Sequence, residues 1–119
     1  MIKRKDIGNY GEQLALKAYL QGGYELLEQQ FNCRFGEIDL ILVKDGVLHF
    51  VEVRTKCGFS YGSAEESITE AKKRKIRLVS QYYLQQKKLQ SSVFQIDVVA
   101  IYINKKEKKA WLKRYPAAF

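Results

Sequence analysis

The chain has 119 residues, enough for one compact domain and too few for two well-cored ones. Its 46% apolar content argues against a disordered chain, and no apolar stretch reaches the roughly 20 residues of a membrane-spanning helix. A formal charge of +8 and a pI near 9.5 point to a polyanionic partner, most simply nucleic acid. Met1–Asp6 carries basic residues with no apolar core behind them. No secretory signal is read, and a cytoplasmic location is expected. Cys33 and Cys57 fit no metal-ligand spacing and are expected to be free thiols. A single histidine without a C-x-x-C pair makes no zinc pattern.

Asp6 is placed to cap a helix over 7–21, in which Ile7, Tyr10, Leu14, Ala15 and Ala18 follow helical spacing and which Gly22-Gly23 ends. Gly8 and Gly11 are costly inside a helix, about 0.5–1 kcal/mol each relative to Ala, and predict close approach by a backbone or a ligand. Glu12 lies beside the apolar stripe with Leu16 and Tyr19, and by itself reads as a solvated edge residue. A first strand is expected over 24–31 and a central hairpin over 34–55. The glycine-rich segment 56–63 reads as a loop whose Phe59 and Tyr61 either stack on bases or fold back on the core.

Thr69 is placed to cap a second helix reaching Gln86, with Ile76, Val79 and Tyr83 as its buried stripe. Lys72, Lys73, Arg74, Lys75 and Arg77 crowd its first turns, and Lys105, Lys106, Lys108, Lys109, Lys113 and Arg114 form a second basic cluster. Residues 93–103 read as a buried strand and 110–115 as an edge strand stopped by Pro116. The resulting order is α-β-β-β-α-β-β, a mixed sheet with helices packed against it.

The hairpin carries the chemistry. Gly36-Glu37-Ile38-Asp39-Leu40-Ile41-Leu42-Val43 and Val47-Leu48-His49-Phe50-Val51-Glu52-Val53-Arg54 flank Lys44-Asp45-Gly46, and Asp-Gly is a strong two-residue turn signal. Pairing Lys44 with Val47 sets Ile41 opposite Phe50, Asp39 opposite Glu52 and Glu37 opposite Arg54, all on one face. Opposed carboxylates repel, and burial adds to the cost of ionising both. Two arrangements relieve this: a divalent ion such as Mg²⁺ or Mn²⁺, or an ion pair from Arg54 to Glu37 or Glu52. His49 falls on the opposite face, opposite Leu42, and reads as structural. Asp97, inside a buried strand, reads as an ion-pair or hydrogen-bond partner.

A helix with a glutamate, then G-E-I-D-L-I at 36–41, F-V-E-V-R at 50–54 and a basic helix together resemble the PD-(D/E)XK nuclease superfamily. Within it the chain is most similar to the YraN-like family of small bacterial proteins, themselves similar to archaeal Holliday-junction resolvases. The resemblance covers nearly the whole chain and implies a single nuclease-like domain over 1–119 with a restriction-endonuclease-like sheet. It makes Asp39 and Glu52 metal ligands, with Glu12 completing the acidic site, and implies a homodimer. Arg54 occupies the position of the superfamily lysine. An arginine stays protonated and cannot act as a base, but it can stabilise charge on a phosphate. Lys56 and Lys72 are candidates for the lysine's role.

The expected function is a Mg²⁺- or Mn²⁺-dependent phosphodiesterase acting on DNA, including branched DNA in repair or recombination. Its catalytic set is Glu12, Asp39, Glu52 and Arg54, with Lys56, Lys72, Lys73, Arg74, Lys75 and Arg77 contacting the nucleic-acid backbone. The alternative is a non-catalytic nucleic-acid-binding module on a nuclease fold, which Arg54 in the lysine position favours and the intact Asp39–Glu52 pair disfavours. A protein adaptor that uses the apolar loop is a third reading; its binding would resist salt, whereas nucleic-acid binding would not.

Overall fold

The computed structural model describes residues 4–57 and 68–119. Helix α1 spans Arg4–Gln21. It starts before Asp6, so Asp6 does not cap it from outside; it lies in the first turn, where a carboxylate still complements the positive end of the helix. At the other end the Gly22 N–H donates to the Ala18 carbonyl and the Tyr24 N–H to the Tyr19 carbonyl, each at 3.1 Å, which turns the chain out of the helix.

Three antiparallel strands follow: β1 (Glu25–Cys33), β2 (Gly36–Lys44) and β3 (Val47–Cys57). The β2–β3 turn takes the form its sequence demands, with Asp45 at φ 51° and Gly46 at φ 78°. Lys44 accordingly pairs with Val47, Ile41 with Phe50 and Leu42 with His49, the register expected from the Asp-Gly pair. Helix α2 (Glu70–Gln86) begins where Thr69 accepts a hydrogen bond from the Lys72 N–H at 3.1 Å. Strand β4 (Val93–Asn104) runs parallel to β3, and β5 (Lys109–Tyr115) closes the sheet antiparallel to β4. The spatial order is β1-β2-β3-β4-β5. This mixed α/β arrangement is the element order read from the sequence. Strand β4 is buried from Ile96 to Ile101, but Val93 and Phe94 at its start are exposed, so it is less covered than its apolar sequence predicts.

One helix covers each face of the sheet. Ala15 and Tyr19 of α1 pack on Leu40, Leu42, Val51, Val53, Val99 and Ile101. Ile76, Val79, Tyr83 and Leu84 of α2 pack on Ile38, Ile41, Leu48, Phe50 and Ile96. A Cβ at Gly11 would lie 1.8 Å from Thr55 Oγ1, so only glycine lets α1 settle this closely on β3. At Gly11 the close neighbour is a side chain rather than a backbone, and Gly8 has no described atom within 4 Å of such a Cβ. Among the described residues no helix is long and apolar enough to cross a membrane.

Candidate functional site

The β2–β3 ladder runs from Lys44↔Val47 to Leu40↔Val51 and stops there. One residue further, Asp39 Oδ2 accepts the Val53 backbone N–H at 2.7 Å. A carboxylate thus stands where a strand carbonyl would otherwise sit, turned toward the neighbouring strand. The core contacts record the same slip. Ile38 packs against α2 and Leu40 against α1, although residues two apart in a regular strand share a face. Directly across from Asp39 on β1, between the pairs Gln29↔Leu40 and Phe31↔Ile38, lies Gln30, whose φ is 50°. Its side-chain amide donates to Glu12 Oε2 at 2.9 Å, which links α1 to the site.

Glu52 is buried on the next strand, its side chain 9% exposed. Two cations reach it: Lys72 Nζ at 3.5 Å and Arg54 Nη1 at 3.7 Å from Oε1. Burial is the main cause that pushes Asp39 up to about 8, joined by the charges of Glu52 and Glu12 and opposed by the Val53 N–H. Burial also raises Glu52, against the pull of Lys72 and Arg54, with Glu37 adding to the rise. Both carboxyls are therefore harder to ionise than free ones, and for Asp39 a side-chain hydrogen bond with Glu12 adds to the effect.

Asp39, Glu52, Arg54, Lys72, Lys75 and Glu37 line a cleft of about 360 Å³ between the hairpin and α2. Asp39 and Glu52, expected to act together, line it together. Glu12 meets them through its charge on Asp39 and its bond to Gln30. Among the described residues no three His, Cys, Asp or Glu side chains close into a ready-made metal cage. The donors present are hard carboxylate oxygens beside cations, with no thiolate or imidazole among the cleft-lining residues. That set fits an ion of the Mg²⁺ type, which is commonly held by one or two carboxylates and completed by water and phosphate.

The expected register of Glu37 opposite Arg54 lies beyond the end of the ladder. Arg54 lies 3.7 Å from Glu52, one of its two expected ion-pair partners, and in the backbone register exposed Glu37 is matched with Asn32 on β1. The basic residues of α2 diverge. Lys72 and Lys75 face the cleft, Lys73 pairs with Glu70 at 3.1 Å, and Lys73 and Arg77 both lie over the Phe119 ring. Arg74 is exposed and Lys56 is half-buried near the end of β3. Phe59 and Tyr61 lie outside the described residues.

A second polar cluster occupies the α1 face. Fully buried Asp97 accepts from Gln95 Nε2 at 2.7 Å, Tyr19 Oη at 2.9 Å, Ala117 N at 3.0 Å and Arg114 Nη2 at 3.1 Å, and lies 2.9 Å from His49 Nδ1. Burial would raise it, yet these hydrogen bonds prevail and hold Asp97 below the usual carboxylate range. Tyr19 is raised by burial and by the Asp97 charge. Both structural readings, of His49 and of Asp97, agree with this geometry. It also removes Arg114 from the solvated C-terminal basic cluster. What the sequence reading missed is that partners from α1, β3, β5 and the tail meet on one buried carboxylate; only a lone Asp in an apolar run hinted at it.

Residues 11–101 match the model of the uncharacterised protein family UPF0102. A UPF0102 protein of Clostridium perfringens (strain 13 / Type A) is 42% identical over 97 residues, 82% of this chain and 80% of that protein. One from Pelotomaculum thermopropionicum is 37% identical over 116 residues, covering 98% and 97%. One from Caldicellulosiruptor saccharolyticus is 34% identical over 105 residues, covering 88% and 89%. With a family model over most of its length and relatives aligned nearly end to end, the chain belongs to the UPF0102 family.

Proposed function

We propose that the protein is a divalent-metal-dependent phosphodiesterase that cuts DNA, on a scaffold of the PD-(D/E)XK nuclease type related to archaeal Holliday-junction resolvases. The observation that carries this reading is the position of Asp39. It leaves the strand alternation to bond the Val53 N–H, and it lies in a cleft with buried Glu52 and two cations. A buried carboxylate beside a half-buried one costs stability, and a purely structural sheet gains nothing from it.

In this reading Asp39 and Glu52 hold Mg²⁺ or Mn²⁺, with Glu12 adding negative charge from α1. A bound ion would activate water and neutralise charge growing on the phosphate. The Val53 N–H keeps Asp39 oriented toward the cleft. Lys72 brings an ammonium to within 3.5 Å of Glu52, which supports it as a counterpart of the superfamily lysine, with Arg54 as a second fixed charge. Hydrolysis breaks one P–O ester bond and forms another to the attacking water oxygen. Lys72 and Arg54 stabilise the charge on the phosphoryl oxygens as that exchange occurs. Lys75 and exposed Arg74 extend the positive surface beyond the cleft for backbone contacts that carry no sequence information.

The test is cleavage of labelled duplex, single-stranded and four-way DNA with Mg²⁺, Mn²⁺ or chelator. Metal-dependent cutting that Asp39→Asn abolishes supports the reading. Binding without cutting on every substrate would replace it with a nucleic-acid-binding module.

A further inference from the structure

We infer that Gln30 is a positioning residue for the acidic site, holding the Glu12 carboxylate against Asp39 through its side-chain amide, and that its left-handed backbone exists to aim that amide. The inference rests on the metal-site reading of Asp39 and Glu52 and adds a residue to it.

Gln30 has φ 50° in the interior of β1, away from any turn. A non-glycine residue in this region is uncommon, and a strained one persists only where its surroundings fix it. Here two bonds fix it. Asn32 Nδ2 donates to the Gln30 carbonyl at 3.1 Å, and Gln30 Nε2 donates to Glu12 Oε2 at 2.9 Å. The distortion falls at the strand position opposite Asp39, where β2 also loses its alternation. A distorted residue on one strand and a displaced carboxylate on the next therefore form a single local feature, and Glu12 is bound to its β1 side.

The chemistry of the donor is specific. An amide fixes one carboxylate oxygen without cancelling its charge, so Glu12 keeps its attraction for a cation. A lysine or arginine in its place would neutralise Glu12 and compete with a divalent ion. Such outer partners typically contribute about 10–100-fold to metal affinity.

Gln30→Gly separates the two roles. Glycine takes φ 50° without a Cβ penalty, so the variant should unfold at the same or a higher urea concentration than wild type. Its affinity for Mn²⁺, measured by calorimetry, should nevertheless fall by about 10–100-fold. Gln30→Asn, an amide residue that tolerates the left-handed region, should recover part of the loss, and Gln30→Lys should not. A metal-free readout accompanies these: in ¹H–¹⁵N spectra the Gln30 side-chain amide should move on Glu12→Ala. Wild-type Mn²⁺ affinity in Gln30→Gly, or an amide signal indifferent to Glu12→Ala, would overturn the inference. An amide signal that moves on Glu12→Ala, together with no Mn²⁺ affinity in the wild type, would uphold the Gln30–Glu12 pairing and reject the metal reading instead.

Discussion

Metal binding should expel a proton. Asp39 is pushed up to about 8 by burial and by the charges of Glu52 and Glu12, while a cation needs the ionised carboxylate. At pH 7, below that value, most sites carry the proton, so metal binding should release it. Affinity should fall about tenfold, or about 1.4 kcal/mol, for each pH unit below 8 and flatten above it. Calorimetric titration of Mn²⁺ in buffers of different ionisation enthalpy, from pH 6 to 9, measures both quantities. The same proton sets the stability of the metal-free fold. Because the native value is raised above the ordinary 3.8, the native state holds a proton that the unfolded chain has already released. Stability from this group is therefore complete below pH 4 and declines as pH rises toward 8, opposite to the usual salt-bridged aspartate. Asp39→Asn should remove the part of this decline that Asp39 contributes, leaving that of Glu52. Zero proton release, with affinity flat between pH 6 and 8, would refute the buried-pair reasoning.

Lys72→Ala and Arg54→Ala should each lower turnover by on the order of 10²–10³ while reducing DNA affinity modestly, as expected for preorganised charges; single-turnover cleavage beside a binding isotherm checks this, and Arg54→Lys should retain much of the activity. Neutralising Lys72, Arg74 and Lys75 together should flatten the logarithmic salt dependence of duplex binding by about 0.9 per lost phosphate contact; an unchanged slope would move the footprint elsewhere. Asp97→Ala leaves buried His49 and Tyr19 and half-buried Arg114 without their shared acceptor and should cost about 3–5 kcal/mol in urea unfolding. Gly11→Ala forces a methyl against Thr55 and should cost about 1–3 kcal/mol by the same assay.

How far the residues announced this arrangement follows from the range of each interaction. The Asp45-Gly46 turn and the alternation of Ile, Leu, Val and Phe are local, so the hairpin register and the order of elements were readable along the chain. Thr69 likewise announced α2. The slip at Asp39 was not readable, because it depends on a backbone turn at Gln30 in another strand and on Val53 in a third. A strict period of two carried past that slip predicts Glu37 directly opposite Arg54, whereas the paired register already ends at Leu40 and Val51. Basic residues clustered in sequence looked like one footprint on α2. The helical period instead sends Lys72 and Lys75 to the cleft and Lys73 and Arg77 to Phe119. Arg114 looked like another solvated charge until the fold set a buried carboxylate beside it.

The central claim is that Asp39 and Glu52 hold one divalent ion, and anomalous diffraction from crystals soaked in Mn²⁺ tests it most directly. An anomalous peak is expected between the two carboxylates, at the distances of oxygen ligands, and should disappear in Asp39→Asn crystals. A peak elsewhere, or none at saturating Mn²⁺ with both carboxylates still directed into the cleft, would contradict it.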